Sequence, residues 1–110
     1  MLAKFKVFTD KANEYRFNLH SKGNHEIILR SSEGYTTKQN CLKGIASVKI
    51  NAPLDSRYDR KVASNGQFYF VLKAANGEPI GMSEMYTTSA NRDGGIEAVK
   101  RDAPGAPIEE

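Results

Sequence analysis

Two glutamates lie in the same short motif, Ser-Glu-X-Tyr, which occurs at residues 32–35 and again at 83–86. Carboxylates that face each other can supply the acid and the base of a proton-transfer reaction. Glu33 and Glu84 therefore suggest a small hydrolase or isomerase, which we keep as the alternative function. A carboxylate just ahead of a helix can instead accept hydrogen bonds from the unpaired amides of the helix N-terminus. We favour this structural role, and an enzyme is the less favoured class.

The two histidines of the sequence, His20 and His25, flank one turn of the first half. A protein metal site needs three or four converging ligands. The nearby Asn24 and Glu26 do not complete a recognised ligand spacing, so we predict no metal site. His25 is expected to be a solvated turn residue, whereas His20 is expected on an open sheet surface.

Nucleophilic and cofactor chemistry also lack their usual motifs. The sequence contains no Gly-X-Ser-X-Gly motif, no P-loop and no dinucleotide-binding fingerprint. Its single cysteine, Cys41, lies on an apolar helical stripe, and Arg92 takes the corresponding place in the second half of the chain. Cys41 is therefore expected to pack in the core, and we predict no catalytic residue and no cofactor.

Composition limits the class of protein. The chain has 110 residues, a net charge of +3 and one cysteine, which is typical of one small globular domain without a disulfide. No apolar run is long enough to cross a membrane. The N-terminus lacks the apolar core of a signal peptide, so we expect a cytoplasmic protein.

A tandem duplication sets the architecture. Residues 35–53 recur as residues 86–104, with ten of nineteen positions identical. A repeat of this period indicates one supersecondary unit used twice. Each unit is too small to bury a sufficient core alone. We therefore predict a single domain over residues 1–110, built from repeats at about 3–55 and 56–109, and a monomer that is in effect a fused dimer.

Each repeat has the pattern of three strands followed by a helix. Asn65-Gly66 and Asn76-Gly77 separate apolar segments and predict hairpins with type I′ turns. The expected strands are Ala3 to Thr9, Glu14 to Ser21, Glu26 to Gly34, Arg57 to Ala63, Gln67 to Ala74 and Pro79 to Met85. The repeat offset falls from 53 to 51 residues across the second turn, and we assign this difference to a two-residue insertion in that turn of the first repeat.

The helices are expected to begin after Thr-Thr pairs and to end near Ala-Pro pairs, because a proline disfavours helical conformation in the residue before it. Apolar residues recur at helical spacing on both helices, with Ile45 and Ile96 as anchors. Gly44 and Gly95 occupy the same interior position of the two helices. Since glycine weakens a helix, its recurrence predicts a close approach of each helix to the sheet.

These residues carry a resemblance to a known family. The shared features are an aromatic-X-aromatic-X-Leu strand, the Ser-Glu-X-Tyr motif and a final Gly-Ile-X-X-Val-Lys-X-X-Ala-Pro segment. Over about residues 4–104 the chain resembles the YegP-like family of small uncharacterised bacterial proteins, in two tandem copies. The resemblance implies β(3)-α-β units that join into one antiparallel sheet and exchange their C-terminal strands. It implies no established catalytic residues.

The fold class predicted is α+β, a pseudo-twofold antiparallel sheet of about seven strands with both helices on one face. Tyr15, Phe17 and Leu19 should point towards the helices, so their alternating neighbours face the other way. Basic and aromatic side chains would then mix on the open side. They could bind a protein, a peptide or a single-stranded nucleic acid, although the ligand is unknown. The candidate ligand-binding residues are Arg16, Asn18, His20, Tyr69 and Lys73.

Overall fold

A computed structural model describes residues 2–23 and 26–110 of the chain. Each repeat supplies three strands and then a helix, and one short strand follows the second helix. The first repeat contains Lys4–Thr9 (β1), Tyr15–His20 (β2), Ile27–Ser31 (β3) and Lys38–Asn51 (α1). A 3-10 turn, Asp55–Arg57, leads to Tyr58–Val62 (β4), Phe68–Lys73 (β5), Pro79–Met82 (β6), Ser89–Asp102 (α2) and Ile108–Glu109 (β7).

The seven strands form one sheet in the order β4-β5-β6-β3-β2-β1-β7. The two repeats meet at the central β3–β6 pair, where Arg30 lies opposite Met82. This order has the pseudo-twofold symmetry that the sequence predicts, and the α+β tandem fold is confirmed. Five of the strand pairs are antiparallel. The β1–β7 pair is parallel, so the sheet is mixed rather than wholly antiparallel.

In the described part of the chain, only the second repeat places a C-terminal strand, β7, on the other repeat. The amide of Phe5 in β1 donates to the carbonyl oxygen of Pro107 at 2.8 Å, next to the β1–β7 pair. In the first repeat the corresponding segment is the 3-10 turn Asp55–Arg57, whose Asp55 oxygen accepts the amide of Tyr58. That segment must connect α1 to β4, so it does not form a strand on a distant edge.

The hairpin turns are not of type I′. The amide of Gly66 donates to Ala63 at 2.9 Å, and that of Ala63 donates to Gln67 at 2.7 Å. Gly66 has a φ of 84°, but among the described non-glycine residues only Asn13 has a positive φ. These are three-residue loops, a type I turn followed by a left-handed residue. Asn65 contributes its side chain instead, which accepts the amide of Gln67 at 3.0 Å.

The repeat offset changes at two places rather than one. Leu19 lies opposite Leu29, and Leu72 lies opposite Gly81, so the third strands correspond at an offset of 52 residues. One of the two extra residues of the first repeat therefore lies in the turn, which includes undescribed Asn24 and His25. The other lies between Ser31 and Tyr35. The prediction of one two-residue insertion is wrong in this detail.

Both helices begin where the threonine pairs predict. The hydroxyl of Thr37 accepts the amide of Asn40, and that of Thr88 accepts the amide of Asn91, each at 3.1 Å. The helices also end next to the Ala-Pro pairs, but Ala52 and Ala103 keep helical φ and ψ. The stop therefore comes from proline, which has no amide to continue the hydrogen-bond ladder, and not from exclusion of the preceding residue.

One apolar core lies between the sheet and the two helices. The side chains of Phe17, Leu19 and Phe70 from the sheet are fully buried, as are Ile45 and Ile96 from the helices. They belong to a single cluster that includes residues of both repeats. Cys41 is also fully buried in this cluster, as predicted.

The helix glycines pack against the motif tyrosines. A Cβ at Gly44 would lie 2.5 Å from the hydroxyl oxygen of Tyr35, and a Cβ at Gly95 would lie 2.8 Å from Cζ of Tyr86. Both distances are shorter than van der Waals contact. The predicted close approach is confirmed, and the neighbour of each glycine is a tyrosine ring of the Ser-Glu-X-Tyr motif.

Candidate functional site

The side of the sheet opposite the helices carries the predicted ligand-binding residues, and we call it the open face. Arg16, Asn18 and His20 occupy alternate positions of β2, while Tyr69 and Lys73 occupy alternate positions of β5. In each strand the intervening residues Phe17, Leu19, Phe70 and Leu72 are fully buried in the core. The sheet order separates the two groups by β3 and β6, which places them about 14 Å apart.

Two residues at the centre of the open face, Arg30 and Met82, were not expected from the sequence. Across the sheet, Asn18 lies opposite Arg30, Arg30 opposite Met82, and Met82 opposite Val71. Met82 is 40% exposed, whereas Val71 is only 9% exposed and is not part of the helix-side core. Arg30 and the exposed apolar side chain of Met82 therefore lie between the two polar groups, with Val71 next to Met82 on β5.

Acidic partners neutralise the main cations of the open face. Nε of Arg16 donates to Asp10 Oδ2 at 2.7 Å, and Nζ of Lys73 lies 2.5 Å from Asp59 Oδ2. These hydrogen bonds hold the pKa of Asp10 and of Asp59 below the ordinary aspartate value. His20 is half-buried and lies opposite Lys4.

Glu84, one of the two candidate acids, bridges the repeats. It accepts hydrogen bonds from Nε of Arg30 at 3.0 Å and from Nη2 at 2.5 Å. The structure therefore gives Glu84 an arginine partner, while threonine hydroxyls cap the helices. Glu33 is exposed. Burial of the ring raises the pKa of Tyr35, and the negative charge of Glu33 raises it further.

Metal and thiol chemistry receive no geometric support from the described residues. Residues 2–23 and 26–110 contain no group of three His, Cys, Asp or Glu side chains that could hold a metal ion. The prediction for His25 lies outside this part of the chain. Burial raises the pKa of Cys41, which disfavours the reactive thiolate. No described helix is long and apolar enough to cross a membrane.

Two β-bulges explain why the central residues were missed. The register shifts between Leu19 and His20 opposite β3, and at the matching place opposite β6. As a result, the consecutive residues Ile28 and Leu29 both belong to the core. Simple alternation therefore assigns the wrong face within β3. The only signal in the sequence is the unbroken apolar run of residues 27–29.

A family model matches the chain twice. The model described as "Domain of unknown function (DUF1508)" matches residues 10–59 and 63–110. The chain belongs to the DUF1508 family. The first match runs from just before β2 into β4, and the second runs from just before β5 through β7, so each match contains two strands and the helix that follows them, while β1 lies outside both.

Proteins similar to this chain are found in several bacteria. The chain is 54% identical over 104 residues to a UPF0339 protein of Bordetella pertussis, covering 94% of this chain and 92% of the relative. It is 46% identical over 110 residues to the UPF0339 protein YegP of Escherichia coli K12, covering 100% and 98%. The resemblance to YegP-like proteins is therefore confirmed.

Two solved structures share the fold. The solution NMR structure of YegP from E. coli has a TM-score of 0.91 and 46% identity, covering 99% of this chain and 92% of that one. The NMR structure of a UPF0339 protein from Shewanella oneidensis has a TM-score of 0.90 and 39% identity, covering 99% and 91%. The E. coli protein is described as one of unknown function, so the likeness supports the fold and the family.

Proposed function

We propose that this chain is a non-enzymatic binding module that contacts a protein partner through the open face. The observation that carries the proposal is the position of Arg30 and Met82 between two groups of polar side chains, with the apolar Val71 next to Met82 on β5. Protein interfaces commonly have an apolar centre with methionine and arginine, surrounded by a polar rim. Arg16, Asn18, His20, Tyr69 and Lys73 would form that rim, while Arg30 and Met82 would contact the partner centrally.

A single-stranded nucleic acid is the less favoured ligand. Binding to a nucleic acid depends on basic side chains that neutralise its phosphates and release the counterions bound to them. Here Arg16, Arg30 and Lys73 each have an acidic partner within the chain. Tyr69 is half-buried, which reduces the ring area available for stacking. Paired charges of both signs are better suited to a protein surface, where charge complementarity selects the partner.

The test compares three forms of the full chain as baits in crosslinking capture from a bacterial lysate. Met82→Glu places a charge at the centre of the open face. Ile50→Glu is the matched control, because Ile50 is 72% exposed on α1, away from the sheet. A partner should be captured by the original chain and by the control but not by Met82→Glu, and the purified partner should show the same order of affinities.

Equal affinity of that partner for all three forms would show that the binding surface is not the open face. A parallel titration with mixed-sequence oligonucleotides at low and moderate salt tests the other ligand class. If oligonucleotides bind in the micromolar range, if that binding falls steeply with salt and if Tyr69→Ala weakens it, the ligand of the open face is a nucleic acid and not a protein. The monomeric state and the cytoplasmic location remain predictions.

A further inference from the structure

A second candidate site is a cleft of about 230 Å³ between the sheet of the first repeat and the helix of the second. The residues just before β1, the turn after β2, the end of α2 and the segment that follows α2 meet there. The lining contains both apolar and charged side chains. The lining includes Leu2, Ala3, Ala106, Lys22, Arg101 and Asp102.

Asp102 holds the charged part of the cleft in place. Its side chain is only 4% exposed. Oδ1 accepts Nε of Arg101 at 2.8 Å, and Oδ2 accepts Nη2 of the same guanidinium at 2.9 Å. The backbone amide of Lys22 also lies 3.4 Å from Oδ2. The Arg101 hydrogen bonds hold the pKa of Asp102 below its ordinary value, so the carboxylate orients Arg101 and anchors the Lys22 turn.

Two donors remain available at this cleft. Nη1 of Arg101 and Nζ of Lys22 have no hydrogen-bond partner within residues 2–23 and 26–110. Both side chains belong to exposed residues. With one carboxylate and two cations, the lining has a net charge of +1. This balance favours an anionic ligand.

The equivalent positions of the other repeat carry none of these charged residues. At the repeat offsets of 53 and 51 residues, Lys22, Arg101 and Asp102 correspond to Ala75, Ile50 and Asn51. The neutral Asn51 side chain donates to the carbonyl oxygen of Ser47 at 2.8 Å and accepts Nε of Arg57 at 2.9 Å. The fold therefore does not require a carboxylate at this position, and the combination of Lys22, Arg101 and Asp102 is specific to one copy.

We propose that the cleft binds a small carboxylate with a short apolar chain. The ligand carboxylate would accept hydrogen bonds from Arg101 Nη1 and Lys22 Nζ, since guanidinium and ammonium groups are strong donors to carboxylates. The apolar chain would lie against Leu2, Ala3 and Ala106. The cleft is smaller than the usual range for drug-sized ligands, which limits the ligand to a few carbon atoms.

The test is a two-dimensional NMR titration of the full chain with sodium butyrate as the probe. The amide signals of Lys22, Gly105 and Ala106 should shift and saturate in the millimolar range. Arg101→Gln and Lys22→Gln should each weaken butyrate binding about tenfold, the effect of losing one charge-assisted hydrogen bond. Lys43→Gln is the matched control, because Lys43 is exposed on α1, and it should bind butyrate normally.

Inorganic phosphate and butylamine complete the experiment. Phosphate should bind more weakly than butyrate, because it lacks the apolar chain, and butylamine should not bind. Absence of a saturable butyrate shift would overturn the proposal. So would equal binding of phosphate or butylamine, or unchanged affinity in both variants. Lys22→Gln leaves the Arg101–Asp102 pair in place, so its folded spectrum keeps the test valid even if Arg101→Gln is destabilised.

Discussion

At the scale of single residues, a shared packing contact explains two of the identical positions of the repeats, the tyrosine and the glycine. Tyr35 with Gly44 and Tyr86 with Gly95 form the same pair, in which the ring lies where a Cβ would be. A helix normally loses stability at an interior glycine. The tyrosine ring fills the space that glycine leaves, so each residue of the pair requires the other.

Gly95→Ala tests this contact. Although alanine has the better helix propensity, the added methyl group should lower the free energy of unfolding by about 1–3 kcal/mol through overpacking. Gly94→Ala is the control in the same helix, because a Cβ there meets nothing within 4 Å, and it should stabilise the protein by up to about 1 kcal/mol. Urea denaturation measures both. Equal effects of the two changes would contradict a close contact with Tyr86.

A second residue-scale prediction concerns acid. The pKa of Asp102 is lowered in the folded chain, mainly by Arg101, so the ionised carboxylate stabilises the fold above the unfolded pKa of about 3.9. That contribution should disappear as the pH falls through the folded pKa. In melting curves recorded from neutral pH to about pH 3, Asp102→Asn should show a weaker loss of stability with acid than the original chain.

Asp59→Asn is the control for this experiment. Asp59 also has a lowered pKa through its lysine partner, but the pair lies at the surface with both side chains partly exposed, and surface pairs contribute little to stability. The acid dependence of Asp59→Asn should therefore match that of the original chain. If Asp102→Asn behaves in the same way, Asp102 does not contribute to the acid sensitivity.

At the scale of elements, the sequence predicted what local chemistry determines. Threonine caps, helical apolar spacing and alternation along β2 and β5 each depend on near neighbours, and the structure confirms them. The turn type was wrong because Asn-Gly suits both a two-residue loop and the second half of a three-residue loop. Arg30 and Met82 were missed because a bulge depends on pairing between strands, which no single strand reveals.

The helices should depend on their two isoleucine anchors. Ile45 and Ile96 are fully buried against the sheet, so truncating either to alanine should lower the free energy of unfolding by about 2–5 kcal/mol. Ile50→Ala is the control on α1, since Ile50 is 72% exposed, and its effect should be within about 0.5 kcal/mol. Chemical denaturation gives all three values. A small effect of Ile96→Ala would contradict its role as an anchor.

At the scale of the whole molecule, the two repeats share one core and one sheet. The central β3–β6 pair joins them, and β7 of the second repeat pairs with β1 of the first. Either half alone would expose apolar surface that the other half covers. We therefore propose that the two halves fold together as one unit and that neither folds alone.

Residues 1–55 expressed alone should be unfolded or should associate as a dimer, because so small a unit buries too little apolar surface. Amide dispersion together with the diffusion rate, both from NMR, distinguishes these states from a folded monomer. A folded monomer would contradict the prediction. As a control, adding residues 56–110 should restore the spectrum of the full chain.

The one-way placement of β7 also has a consequence during protein synthesis. β1 is made before the other strands of the sheet, but its outer partner lies at residues 108–109. Translation proceeds at about 5–20 residues per second, so the outer edge of β1 stays without its partner for several seconds or more. A ribosome that stops early would release a chain with this edge uncovered, and uncovered strand edges promote aggregation. Protection of the outer edge of β1 therefore has to wait until residues 108–109 have been made.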